Sequence, residues 1–136
     1  MKNSILVFTI SLLICSSLFL AGCVSENSWE KLSVDEFETQ IAETSPLFIL
    51  DVRTQIEWEQ DGHLDGAYLI PHSEIEQRAS ELPENKDEPI FLHCKSGARS
   101  STAAQTLQDL GFTDIREMEL GIKAWKEAGK AVTYGE

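Results

Sequence analysis

The sequence predicts an α/β fold, a mainly parallel sheet with helices on both faces. Three observations predict it. From residue 33 onward, short apolar runs alternate with segments of helical signal. The apolar runs are continuous, which suits strands covered on both sides. Three of the helical segments open on Ser or Thr followed three residues later by Glu, the capping-box pattern.

The first helix is "SVDEFETQIAE", where Ser33 and Glu36 form the box and Phe37 and Ile41 share a face. "LFIL", 47–50, is a buried strand ending at Asp51. "TQIEWEQ" pairs Thr54 with Glu57 in a short helix closed near Gly62. "AYLI", 67–70, is a strand that Pro71 stops. "SEIEQRASEL" has the third box, Ser73 with Glu76, and reads as a helix; "PENKDEP", 83–89, reads as an exposed loop.

"IFLH", 90–93, is the next strand. A helix follows from Ser100 to Leu110, with Ala103, Ala104, Leu107 and Leu110 facing inward, Ser100 and Ser101 at its start, and Gly111 as its cap. "IREM", 115–118, is a further short strand, and "GIKAWKEAG" a last helix ending at Gly129. Trp58 and Trp125 lie on helical faces and read as core, while Trp29 packs at the domain edge.

The first 22 residues stand apart. A short head with one Lys, an apolar core from Ile5 to Leu20 and then "LAGC" mark an export signal. "LAGC" resembles the bacterial lipobox, which implies that Cys23 carries lipid as the first mature residue. The alternative is an uncleaved anchor, since Ile5 to Gly22 reaches the lower edge of spanning length. Either way the expected place is outside the cytoplasm, in the cell envelope, tied to a membrane. The expected organisation is a signal peptide at 1–22, a lipidated tether at 23–30 and one domain at 31–136.

Net charge for the whole chain is −12, and losing residues 1–22 removes one Lys and no acid. So acidic a surface excludes nucleic acid as a partner and excludes an electrostatic grip on anionic lipid heads. A monomer is expected, for want of an exposed apolar stripe.

Of three cysteines, Cys15 leaves with the signal and Cys23 is the lipid site, so Cys94 is alone. Exported proteins usually pair their cysteines. Its neighbours give it a purpose. In "IFLHCKSGARSS" the thiol stands where a strand turns into a helix, the place where ligands sit in such folds. The backbone N–H groups of Cys94–Arg99 can converge on a negative sulfur, and Gly97 lets the loop curl. The helix dipole, Lys95 and Arg99 all favour thiolate, which makes Cys94 a candidate nucleophile.

The sequence here resembles a single-domain rhodanese-like sulfurtransferase of the thiosulfate type. The resemblance runs from about Ser33 to Ala128. It rests on "DVR" at 51–53, "GH" at 62–63, "GA" at 66–67, "IP" at 70–71, the "CKSGARS" loop and "GIKAW" at 121–125. Two departures stand out, Asp65 for a usual Pro and Leu120 for the first of two usual glycines. The resemblance implies a five-stranded sheet and no cofactor. It implies that Cys94 takes sulfur from a thiosulfate-like donor, forms a persulfide, and passes the sulfur to a thiol, which could belong to a protein, or to cyanide. The amides of Lys95, Ser96, Gly97, Ala98 and Arg99 would cradle the outer sulfur, and the Lys95 and Arg99 cations would attract the donor. Asp51 and Arg53, on a neighbouring strand, would brace the loop or meet the substrate.

Two rival classes remain in view. Cysteine-dependent phosphatases and arsenate reductases share a Cys…Arg loop, but with five intervening residues where this chain has four, Lys95 to Ala98. A binding module that only carries sulfur would keep Cys94 without turnover. The histidines read as structural: His93 supports the loop, His63 bonds backbone in a turn, and His72 is exposed. Their spacing defines no metal site.

Overall fold

A computed structural model describes residues 29–135. The expected export signal, the expected lipid site Cys23 and the expected tether as far as residue 28 lie outside the described residues. Five strands, β1 (Glu30–Leu32), β2 (Phe48–Asp51), β3 (Ala67–Leu69), β4 (Ile90–His93) and β5 (Ile115–Met118), form one parallel sheet in the order β1-β5-β4-β2-β3. Four helices connect and close them: α1 (Val34–Glu43), α2 (Gln55–Asp61), α3 (Ala98–Asp109) and α4 (Gly121–Glu127).

Side-chain alternation along the central strands divides the core in two. Leu50, Ile90 and Leu92 face Ala103, Ala104 and Leu107 of α3. Ile49 and Phe91 face Phe37 of α1 and Ile122 and Trp125 of α4. Both sheet faces are therefore covered, as the unbroken apolar runs require. After β2 the chain steps outward to β3, and after β4 it steps the other way to β5. The carboxyl ends of β2 and β4 thus flank the switch point where such sheets leave a crevice.

The first two capping boxes form as read, with Ser33 and Thr54 as N-caps and Glu36 and Glu57 bonding back. The third does not. Residues 72–78 are successive turns, followed by a single 3-10 turn at Ala79–Glu81. Arg78 explains the departure: Glu74 and Glu81 grip it while its Nη2 donates to the Leu69 carbonyl, tying the segment to the end of β3. The domain also begins earlier than residue 31, since Glu30 pairs with Arg116 in β1 and Trp29 Nε1 donates to Glu117. Helix α3 starts at Ala98, two residues before the expected Ser100. His72 is half-buried, not exposed. No helix among the described residues is long and apolar enough to cross a membrane.

Candidate active site

Cys94 leaves the end of β4, and four residues later the chain has entered α3. Gly97 makes the turn with φ 110°, and a Cβ there would lie 2.4 Å from the Glu119 carbonyl oxygen, so only glycine fits. Its N–H donates to Cys94 Sγ at 3.0 Å. Ser100 Oγ stands 3.4 Å from the same sulfur. Burial pushes the Cys94 thiol up. The Ser100 hydroxyl and the N–H groups of Ser100, Gly97 and Ser96 outweigh that and hold it below its ordinary value. The sulfur lies on the floor of the loop, with 1% of the residue exposed, beneath exposed Lys95, Ser96 and Ala98.

Helix α4 holds the loop from its other side. Ile122 N–H donates to the Cys94 carbonyl at 2.9 Å, and Lys123 N–H to the Lys95 carbonyl at 3.1 Å. His93 Nδ1 also sits 3.1 Å from the Cys94 carbonyl, the supporting role read for it. Leu120 has φ −103°, so the missing glycine there causes no strain, whereas Gly121 has φ 62°.

Of the two expected cations, Arg99 is engaged and Lys95 is not held tightly. Arg99 donates from Nη1 and Nη2 to the two Glu57 oxygens, each at 2.7 Å. That guanidinium, ahead of the Thr54 N–H and hydroxyl, pulls Glu57 down to about 2 in spite of partial burial. Lys95 Nζ lies 4.0 Å from Asp61, beside a cleft of about 270 Å³ lined also by Ile122, Lys123, Lys126 and Glu127.

Comparison with known proteins decides the family. The model of the rhodanese-like domain matches residues 33–128. The chain belongs to the rhodanese-like family. Thiosulfate sulfurtransferase GlpE of Shewanella oneidensis is 30% identical over 75% of this chain and 97% of its own length. Bacillus subtilis YrkF, named as a sulfur carrier protein, is 38% identical over 74% of this chain, which spans only 54% of that relative. A rhodanese-like domain protein from Staphylococcus aureus has a solved structure that superposes with TM-score 0.67 and 29% identity. It covers 79% of this chain and 99% of the other. These likenesses support a transferase.

Within this rhodanese-like domain Asp51 and Arg53 are sealed from solvent, each 0% exposed. Arg53 Nε and Nη2 bond the Asp51 carboxylate, the latter at 2.6 Å, and Nη2 also donates to the Gly62 carbonyl at 2.7 Å. Asp51 Oδ2 is 3.7 Å from His93 Nε2, and burial pushes His93 below its ordinary value although Asp51 opposes it. The pair therefore braces β2 and α2 from within. His63 is buried, stacked on Trp58 at 3.5 Å and bridged to Thr133, as a structural histidine.

Sequence reasoning missed two acids at the site. Glu57 was accounted for by its capping box, which hid its second partner, Arg99. Glu117, 0% exposed, accepts from Ser100 Oγ at 2.5 Å, Ser101 Oγ at 2.9 Å and Trp29 Nε1 at 2.8 Å. The signal for it was an acid at an inward position of "IREM". It fixes the Ser100 hydroxyl beside the thiol.

Proposed function

We propose that this protein moves sulfane sulfur from a donor such as thiosulfate to a thiol or cyanide acceptor, through a persulfide on Cys94. One observation carries this reading: the Cys94 sulfur accepts the Gly97 N–H at 3.0 Å at the head of α3, with Ser100 Oγ 3.4 Å away, and its pKa is lowered against the effect of burial. The thiolate attacks the donor's outer sulfur, a new S–S bond forms, and the old one breaks with its electron pair leaving on sulfite. The acceptor thiolate then attacks the outer sulfur of the persulfide. Its S–S bond breaks and the pair returns to Cys94. The amides of Lys95 to Arg99 hold the charge on whichever sulfur bears it.

The domain acts outside the cytoplasm as a monomer, held to a membrane by lipid on Cys23; the "LAGC" stretch after an apolar core supports this placement. A carrier without turnover is the second reading. The likeness to the Bacillus subtilis relative named as a sulfur carrier protein favours it. Nothing comparable favours a phosphatase, since the Arg99 fork that would wrap an oxyanion is occupied by Glu57.

Mass measurement of the protein after thiosulfate treatment tests the proposal. One added sulfur on Cys94, lost again on cyanide or thiol with release of product, is expected, and Cys94→Ser gains none. A stable added sulfur with no turnover would establish the carrier. No added sulfur from any sulfane donor overturns both.

A further inference from the structure

Arg99 is the cation that the reactive loop carries into the first turn of α3. Its outer fork is nevertheless spent on Glu57, with both Nη groups 2.7 Å from carboxylate oxygens. Glu57 is itself fixed from behind. Its Oε2 accepts from the Thr54 N–H at 3.0 Å and the Thr54 hydroxyl at 2.9 Å, in the first turn of α2. Both side chains are mostly covered, Arg99 at 28% and Glu57 at 19% exposure, so the pair is not a loose surface bridge. With its pKa at about 2, Glu57 is ionised throughout the physiological range. Residue 99 therefore presents a neutral pair. Lys95 is the remaining loop cation; its side chain is 56% exposed, and its ammonium turns toward Asp61 and the α4 cleft.

Such a mouth offers amide donors, and its only loop cation outside the Glu57 pair, Lys95, turns its ammonium toward Asp61. A single sulfur atom is well served by amides, while a sulfonate or phosphate head, with several charged oxygens, needs a counter-charge. We infer that Glu57 is a specificity-determining residue that clamps Arg99 and so makes the site favour donors presenting a bare sulfur, such as an alkyl persulfide, over oxyanionic donors such as thiosulfate. The inference rests on the sulfur-transfer reading above and names its donor class. In the favoured reaction the Cys94 thiolate attacks the terminal sulfur of RS–SH. A Cys94–S bond forms, the donor S–S bond breaks, and its pair leaves on RS⁻. The same clamp keeps inorganic phosphate out.

The test compares the wild type with Glu57→Gln and with Glu57→Gln/Arg99→Gln. Gln at this position still serves the capping box, so α2 is retained, and a thermal melt checks it. Steady-state kinetics are run with thiosulfate and with an alkyl persulfide, and inorganic phosphate binding is followed by calorimetry. In Glu57→Gln the KM for thiosulfate falls about tenfold, as expected when one guanidinium charge is uncovered. The persulfide KM moves less than about twofold, and kcat is unchanged for both donors. Phosphate binding appears in the single variant and vanishes in the double. Equal changes for both donors, or phosphate binding no stronger than in wild type, overturn the inference. If no donor loads Cys94 in any protein, sulfur transfer itself fails, and phosphate calorimetry still decides whether Glu57 holds the Arg99 charge in check.

Discussion

Gly121 is packed against the main chain of Cys94: a Cβ added to it would lie 2.5 Å from the Cys94 carbonyl oxygen and 2.6 Å from the Lys95 carbonyl group. The first turn of α4 thereby reaches the loop closely enough for Ile122 and Lys123 to donate to those carbonyls. Gly121→Ala must both strain a φ of 62° and push the loop away. We expect a loss of about 2–4 kcal/mol in unfolding free energy and slower alkylation of Cys94 at neutral pH. Denaturant melts and iodoacetamide kinetics measure the two effects. Unchanged alkylation would mean that α4 does not support the loop.

Ser100 offers a finer probe of the thiol. Its hydroxyl is the strongest of the groups that lower the Cys94 pKa, with the amides behind it. In Ser100→Ala burial is opposed by amides alone, so the alkylation midpoint moves to higher pH and the rate near pH 7 falls. The sign follows from the hydroxyl turning its proton from Glu117 to the sulfur when the thiol ionises, an option that alanine removes. Glu117 also loses a partner, and we expect about 1–2 kcal/mol of destabilisation. A midpoint that stays put or falls would show that the hydroxyl serves Glu117 alone.

The Glu57–Arg99 pair also predicts acid sensitivity. Glu57 falls from 4.5 to about 2 in the fold, so its contribution is present above pH 4.5 and is lost as pH drops toward 2. The side chain is 19% exposed, and allowing for solvent screening the contribution is roughly 1–2 kcal/mol. Glu57→Gln should flatten the stability profile between those limits and leave its slope above pH 5 alone. Urea melts across that range provide the check.

How far the sequence carried this reading depends on the range of the interactions. Strands β2 to β4 were legible because each is built on a short apolar run, β5 because Ile115 and Met118 bracket it in the alternation, and the reactive loop because its parts are neighbours in sequence. Strand β1 was missed: the resemblance implied a fifth strand without placing it, Glu30 and Lys31 have no strand signature, and pairing with Arg116 and Glu117 makes them one. The Ser73–Glu76 pattern misled because Arg78 answers to Leu69 as well as to its local acids. Glu57 and Glu117 escaped notice because their partners Arg99 and Ser100 stand 42 and 17 residues away. Local chemistry could be read, and long-range pairing of charges could not.

Asp51 and Arg53 supply the most severe prediction. Both are 0% exposed, and the carboxylate is the main counter-charge for a guanidinium with no access to water. Removing one partner leaves the other charge buried and uncompensated, which costs far more than the pair contributes. Asp51→Ala should therefore lose about 3–5 kcal/mol, enough to unfold a marginal domain. Asp51→Leu/Arg53→Met replaces both charges with apolar volume and should recover much of that loss. Chemical denaturation of the three proteins gives the ordering. If the double variant loads sulfur on Cys94 as wild type does, the pair acts as a brace alone; normal stability with impaired loading would assign it a part in the reaction instead.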